Sequence, residues 1–115
     1  MANTISTSTG SVSSNVVTYT TRNHGQGVTL FLDYNKGNGT EFSLSYTVQN
    51  PNLNSSDYNA LMAVGTTLEP LAYTINATGK YFYPIPLAPD DRVVKVTIAF
   101  TGGTTQTLAV DFREN

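Results

Sequence analysis

Apolar and polar side chains alternate along most of the chain after residue 16, with the period of two that is typical of half-buried β-strands. Leu30 and Leu32, for example, point to one side while Phe31 and Asp33 point to the other. The inward-facing sets that this pattern predicts in four segments are Val28, Leu30 and Leu32; Phe42, Leu44, Tyr46 and Val48; Val94, Val96, Ile98 and Phe100; and Leu108, Val110 and Phe112. Burial of one face of each strand then builds a hydrophobic core between layers.

Shorter β-branched and aromatic runs predict further strands at residues 16–21, 71–75 and 81–87. The prolines in the last of these runs remove backbone donors and place that strand at a sheet edge or on a bulge. Residues 58–64 are interpreted as a short strand or an irregular piece. Seven or eight strands at intervals of about ten residues predict an all-β fold, an antiparallel β-sandwich of jelly-roll or immunoglobulin-like type.

Two glycine-rich segments mark where the chain reverses. Residues 35–40 tolerate positive φ, so we expect a hairpin from residue 28 to residue 49. Gly102 and Gly103 predict a two-residue hairpin between the last two strands.

The first fifteen residues are almost entirely Ser, Thr, Asn and Gly, with Ile5 and Val12 as isolated apolar positions. Such a composition buries too little apolar surface to fold alone. We therefore expect residues 1–15 to form a flexible, extended arm, followed by a single domain over residues 16–115. Ile5 and Val12 are the candidate partner-binding positions of this arm, which could add a strand to a neighbour's sheet.

The surface implied by the composition is nearly neutral and rich in hydroxyl groups. Charged residues make up 12% of the chain and the net charge is −2, so we expect neither nucleic acid nor an anionic membrane as a partner. The absence of cysteine excludes disulfides and thiol catalysis. No apolar run approaches the roughly 20 residues of a membrane-spanning helix, and the N-terminus lacks the pattern of a secretory signal. We expect the protein to remain in the cytoplasm where it is made, or to be assembled there.

Candidate metal-binding residues are few. His24 is the single histidine and lies in a predicted glycine-rich turn, where a surface position is favoured over a catalytic triad or a metal site. Asp90 and Asp91 offer oxygen ligands for calcium, but turn formation after Pro89 is the favoured interpretation.

A glycosidase-type pair could be drawn from Asp33, Glu41 and Glu69 only if the fold brings two of these acids together, and the sequence does not indicate that it does. We therefore expect no catalytic residues, no cofactor and no metal, and we interpret the chain as a protein that is not an enzyme.

Tyr81, Phe82 and Tyr83 form the densest aromatic cluster of the chain. In a strand Phe82 faces opposite to the two tyrosines, so one side of the cluster is buried and the other side is left to be explained. Exposed aromatic rings at a sheet edge suit contact with a neighbouring protein or stacking on sugar rings, whereas inward rings simply line the core. We take Tyr81 and Tyr83 as candidate partner-binding residues.

Three stretches of the chain carry strand and turn motifs that can be compared with a known family. In residues 30–46, LFLDYNKGNGTEFSLSY, a hydrophobic strand, a Tyr-x-Lys-Gly turn and a Thr-led strand follow one another. This order resembles that of a family of small β-sandwich virion proteins of tailed bacteriophages. Residues 77–86 and 92–96 are similar to its turn, edge and long-strand segments. The resemblance spans residues 28–112.

The resemblance implies a structural role in the virion and no catalytic residues. We expect a decoration or cement subunit on the head, a homo-oligomer in the assembly that binds the major capsid protein or other virion proteins. A neck or tail component is an alternative of the same class. A carbohydrate-binding module or adhesin is an alternative from another class, because exposed tyrosines stack on sugar rings.

Overall fold

A computed structural model describes residues 2–22, 27–54, 56–88 and 90–115 of the chain. Within these ranges the fold is all-β, as predicted, with a single 3-10 turn at Pro51–Leu53 and no α-helix. The twelve strands of the described residues are β1 (Thr4–Ser6), β2 (Ser11–Ser13), β3 (Val16–Thr20), β4 (Val28–Asn35), β5 (Glu41–Gln49), β6 (Asp57–Asn59), β7 (Leu61–Val64), β8 (Thr67–Pro70), β9 (Tyr73–Ile75), β10 (Gly79–Ile85), β11 (Val93–Thr101) and β12 (Thr107–Glu114). His24 lies outside the described residues.

Most of the strands belong to two sheets. The first sheet is four-stranded, in the order β1-β12-β4-β10. The second is six-stranded, in the order β2-β3-β11-β5-β6, and β9 also pairs with β5. Pairing is antiparallel throughout, except that β1 runs parallel to β12. The strands β7 and β8 pair with each other as a separate hairpin.

The two sheets share one hydrophobic core. Tyr34 of β4 and Phe42 of β5 belong to different sheets, and their rings meet edge to face with centroids 4.5 Å apart. The alternation predicted from the sequence is confirmed, with Val48 and Phe100 partly buried against the core. The buried hydrophobic residues are Val17, Val28, Leu30, Leu32, Tyr34, Phe42, Leu44, Tyr46, Leu71, Ile85, Val94, Val96, Ile98, Leu108, Val110 and Phe112.

Both predicted hairpins are wrong, because the connections cross from one sheet to the other. β4 and β12 pair with each other in the first sheet, while β5 and β11 pair with each other in the second. The two crossing loops are bonded together: the Asn38 side-chain oxygen accepts from the backbone N–H groups of Thr104 at 2.9 Å and Thr105 at 3.0 Å. Turn-forming residues reverse the chain, but they do not determine which sheet the next strand joins.

The N-terminal segment is extended, but it is bonded to the domain rather than free of it. β1 lies beside β12 in the first sheet, and β2 lies beside β3 in the second. Between them Ser8 donates to Asp111 Oδ1 through its backbone N–H at 2.8 Å and its hydroxyl at 2.9 Å. The Thr9 hydroxyl accepts from the backbone N–H of Phe112 at 2.8 Å. These hydroxyl groups supply hydrogen bonds that the polar composition alone does not locate, and the flexibility expected of residues 1–15 stays a prediction.

The twelve strands of the described residues outnumber the seven or eight predicted, and short strands at the edge of the second sheet account for part of the difference. β6 and β9 pair with the two halves of the same side of β5, and the β7-β8 hairpin leaves the sheet between them. At its base the Leu71 N–H donates to the carbonyl of Ala60 at 2.7 Å, and the Ala60 N–H donates to the carbonyl of Tyr46 at 3.4 Å. The ambiguous residues 58–64 thus contribute to both β6 and β7.

Tyr19 makes the stability of this fold sensitive to alkaline pH. Its ring stacks on Phe112 with centroids 4.9 Å apart, and its hydroxyl donates to Glu114 Oε2 at 2.7 Å. Burial, followed by the hydrogen bond to Glu114, raises the pKa of Tyr19 to about 12. Because the folded pKa lies above the ordinary value of 10.0, the stabilisation is present below pH 10 and is lost as pH rises toward 12.

We therefore expect the free energy of unfolding to fall between pH 10 and about 12, and to fall less steeply in Tyr19→Phe. Urea unfolding across this pH range measures both slopes. Tyr58→Phe is the matched control, because the Tyr58 ring is exposed and its hydroxyl donates to the carbonyl of Leu53. Equal slopes in Tyr19→Phe and the wild type would contradict the prediction.

Candidate interaction surfaces

The outward side of the first sheet carries an aromatic pair near its open edge. The strand register places Phe82 of β10 opposite Phe31 of β4, and Phe31 opposite Asp111 of β12. The neighbouring row holds Lys80 opposite Asp33. These five residues, here called the aromatic face, combine apolar rings with charges of both signs.

The rings of the aromatic face are unusually accessible to solvent. Phe82 is 71% exposed and Phe31 is 44% exposed, and their centroids lie 6.4 Å apart. Lys80 Nζ lies 3.4 Å from Asp33 Oδ2 on the exposed surface beside them. A cross-strand aromatic pair stabilises a sheet by about 0.2–1 kcal/mol, which accounts for the contact between the rings. It does not account for the apolar area left in water, which is a feature of interaction sites.

A second surface is a groove between β9, at an edge of the second sheet, and β10, at an edge of the first. It has a volume of about 220 Å³. We call it the edge groove, and its lining residues are Leu32, Leu44, Tyr73, Thr74, Ile75, Tyr81, Phe82 and Tyr83. Leu32 and Leu44 are nearly inaccessible to solvent, so the groove reaches the hydrophobic core.

Tyrosine rings pack against one another at one end of the edge groove. The ring of Tyr83 lies 5.0 Å from that of Tyr73 and 6.2 Å from that of Tyr46, measured between centroids. A hydrogen bond with Tyr83, and then burial, raises the pKa of Tyr73. Burial raises the pKa of Tyr46, against the opposing effect of a hydrogen bond with Tyr83. Both phenols therefore remain neutral at physiological pH, and the lining of the groove carries no charge.

The third surface is the β7-β8 hairpin, which has one wholly apolar side. Its cross-strand pairs are Leu61 with Pro70, Met62 with Glu69, Ala63 with Leu68 and Val64 with Thr67. Because side chains alternate along a strand, Leu61, Ala63, Leu68 and Pro70 share one side, here called the hairpin apolar side. All four are exposed, with Leu61 at 56% and Leu68 at 65%.

The predicted partner-binding residues lie at different places in the fold. Ile5 is partly buried against the core, whereas Val12 on β2 is 39% exposed. Tyr81 and Tyr83 are partly buried in the edge groove, and the outward member of that cluster is Phe82. The sequence did place Phe31 outward, but it gave no sign that β10 would lie beside β4. The binding role of the four predicted residues stays a prediction.

The acidic candidates bond to neighbouring side chains and backbone groups of the fold. Asp91 is buried and accepts from the backbone N–H of Ala88 at 2.7 Å and from Asn50 Nδ2 at 3.0 Å. Asp90 has a φ of 69° and accepts from Asn52 Nδ2 at 3.0 Å. Together these bonds tie the turn before β11 to the 3-10 turn.

Of the three acids considered for glycosidase chemistry, Asp33 pairs with Lys80 on the aromatic face and Glu69 lies on the projecting hairpin. Glu41 begins β5 in the second sheet. Across the described ranges, His, Cys, Asp and Glu side chains form no group of three or more that could hold a metal ion. The exposed surfaces are therefore the strongest candidate sites.

Comparison with known proteins does not assign a family to the chain. No protein-family model, no curated protein and no solved structure matches it. None of the described residues belongs to a helix long and apolar enough to cross a membrane. A functional proposal therefore depends on the surfaces described above and on the sequence resemblance.

Proposed function

We propose that this protein is a non-enzymatic β-sandwich subunit of a tailed-bacteriophage virion, and that it decorates the head by binding the major capsid protein. The resemblance of residues 28–112 to small phage virion proteins supports the proposed place in a virion. The observation that carries the binding role is the aromatic face, where Phe82 is 71% exposed beside Phe31.

The chemistry of the aromatic face suits a protein partner. Aromatic residues are enriched at the centres of protein interfaces, where a few of them contribute most of the binding energy. Lys80 and Asp33 lie directly beside the rings and supply charges for a polar rim. Open sheet edges flank the same region, since β10 is the last strand of the first sheet. The proposed contact is thus apolar at its centre and charged at its border.

Mass spectrometry of gradient-purified particles of the encoding phage tests the virion role. We expect peptides of this chain in a copy number comparable to that of the major capsid protein, because a decoration subunit covers the head lattice. A much lower copy number identifies a neck or tail component and contradicts the decoration role. Absence from the particles contradicts the virion role altogether.

The aromatic face is tested by Phe82→Ser in particles that lack the wild-type chain. Removing a central interface aromatic costs about 2 kcal/mol or more, so we expect about thirtyfold weaker binding to the head and reduced occupancy. Leu53→Ser is the matched control, because Leu53 is also exposed, at 51%, but lies on the 3-10 turn. Equal occupancy of the two variants would exclude the aromatic face as the binding surface.

A carbohydrate-binding module is a second candidate, favoured by the same exposed rings with acidic Asp33 and Asp111 beside them. Sugar rings stack on aromatic faces while carboxylates accept bonds from their hydroxyl groups. A glycan array separates the two functions. A decoration subunit shows no saccharide binding, whereas binding that is lost in Phe82→Ser favours the module.

A further inference from the structure

We propose that the edge groove is covered by the hairpin apolar side of a second copy of this chain, and that two copies exchange their β7-β8 hairpins around a two-fold axis. The inference rests on the proposed role as an assembly subunit. It adds a specific partner and a second surface, which shares Phe82 alone with the aromatic face.

The hairpin has no core of its own. A two-stranded hairpin is marginally stable in water and normally gains stability by packing one side against another element. Met62, on the opposite side, packs against the core, whereas Leu61 and Leu68 are more than half exposed. The side that carries the most apolar area thus has no cover within the described part of the chain.

The hairpin apolar side and the edge groove match in chemistry. Leu61, Ala63, Leu68 and Pro70 are uncharged, and the one charged residue of the hairpin, Glu69, belongs to its other side. The groove lining is also uncharged and consists almost entirely of apolar and aromatic side chains. A cavity of about 150 Å³ accommodates benzene, so a groove of about 220 Å³ has room for a leucine side chain.

The position of the two surfaces favours exchange between two copies. The hairpin leaves β5 beside Tyr46, and the Tyr46 ring contacts Tyr83 at one end of the groove. Both surfaces therefore start near Tyr46, which allows each to meet the matching surface of a second copy across a two-fold axis. Exchange covers the hairpin apolar side and the edge groove of both copies at once.

Sedimentation velocity of the purified full-length chain gives the first test. We expect the wild type to dimerise at concentrations up to about 100 µM. Leu61→Asp with Leu68→Asp should weaken dimerisation at least tenfold, because two charges enter an apolar groove. Thr67→Asp lies beside Leu68 on the opposite side of the hairpin and should leave the dimer intact. A monomeric wild type, or equal loss in the control, overturns the proposal.

Cysteine cross-linking gives a second test that does not depend on a disruptive variant. The chain contains no cysteine, so Leu68→Cys with Ile75→Cys introduces one thiol on the hairpin and one in the groove. Mild oxidation should produce a covalent dimer on a non-reducing gel. Thr67→Cys with Ile75→Cys should remain monomeric. A cross-link within one chain, or a ladder of higher oligomers, overturns the two-fold exchange.

The outcomes of these tests can be distinguished from those of the tests of the proposed function. A monomeric chain that is abundant in purified particles overturns the hairpin exchange alone. A dimer that is absent from the particles overturns the virion role alone. Phe31→Ser provides a further separation, because Phe31 lies on the aromatic face and does not line the edge groove, so its loss should reduce occupancy on the head and leave dimerisation unchanged.

Discussion

Replacing Gln106 with leucine is expected to lower the free energy of unfolding by about 2–4 kcal/mol, because up to three groups lose a hydrogen-bond partner. The Gln106 side chain is fully buried and accepts from the Tyr34 hydroxyl. Its amide donates to the carbonyls of Thr101 at 3.0 Å and Gly102 at 2.8 Å. Leucine has a similar size but makes none of these bonds, and urea unfolding measures the loss.

The double variant Tyr34→Phe with Gln106→Leu is the control for this effect. It removes the hydroxyl that Gln106→Leu leaves buried without its partner, so it should recover about 1–2 kcal/mol relative to Gln106→Leu alone. The position of Gly39 adds a check on how closely Gln106 is held, since a Cβ there would lie 2.2 Å from the Gln106 amide group. No recovery in the double variant would show that the bond to Tyr34 is not the source of the loss.

The sequence predicted the core well because alternation depends on local geometry alone. Val28, Leu30 and Leu32 are buried on β4 while Phe31 points outward, as the period of two requires. The proline-containing β10 lies at a sheet edge, as expected from the donor that Pro84 lacks. Each of these features follows from a few neighbouring residues.

Pairing between strands was not predictable in the same way. A glycine-rich turn at residues 35–40 is compatible with a hairpin and with a crossing between sheets, and the difference lies in contacts with residues 101–106 far along the chain. The placement of the N-terminal segment also depends on residues that are distant in the sequence. Its apolar content is low, but Ser8 and Thr9 bond to the backbone and side chains of β12, more than a hundred residues away.

The candidate surfaces were partly visible in the sequence. The cluster at Tyr81, Phe82 and Tyr83 stood out, but which side faces water depends on the sheet that β10 joins. The hairpin apolar side was missed, because Leu61 and Leu68 become neighbours on one side only when β7 and β8 pair in the register observed. Cross-strand register sets both surfaces, and a single strand carries no information about it.

Replacing Phe42 with alanine is expected to cost about 3–5 kcal/mol, the largest effect of any single change considered for this chain. The Phe42 ring is fully buried on β5 and contacts the rings of Tyr34, on the opposite sheet, and Phe100. Its loss leaves a cavity at the point where the two sheets meet. Phe82→Ala makes the same chemical change at a ring that is 71% exposed, and should alter the free energy by about 0.5 kcal/mol or less. Chemical denaturation of both variants measures the difference, and similar losses would mean that the two sheets do not pack through Phe42.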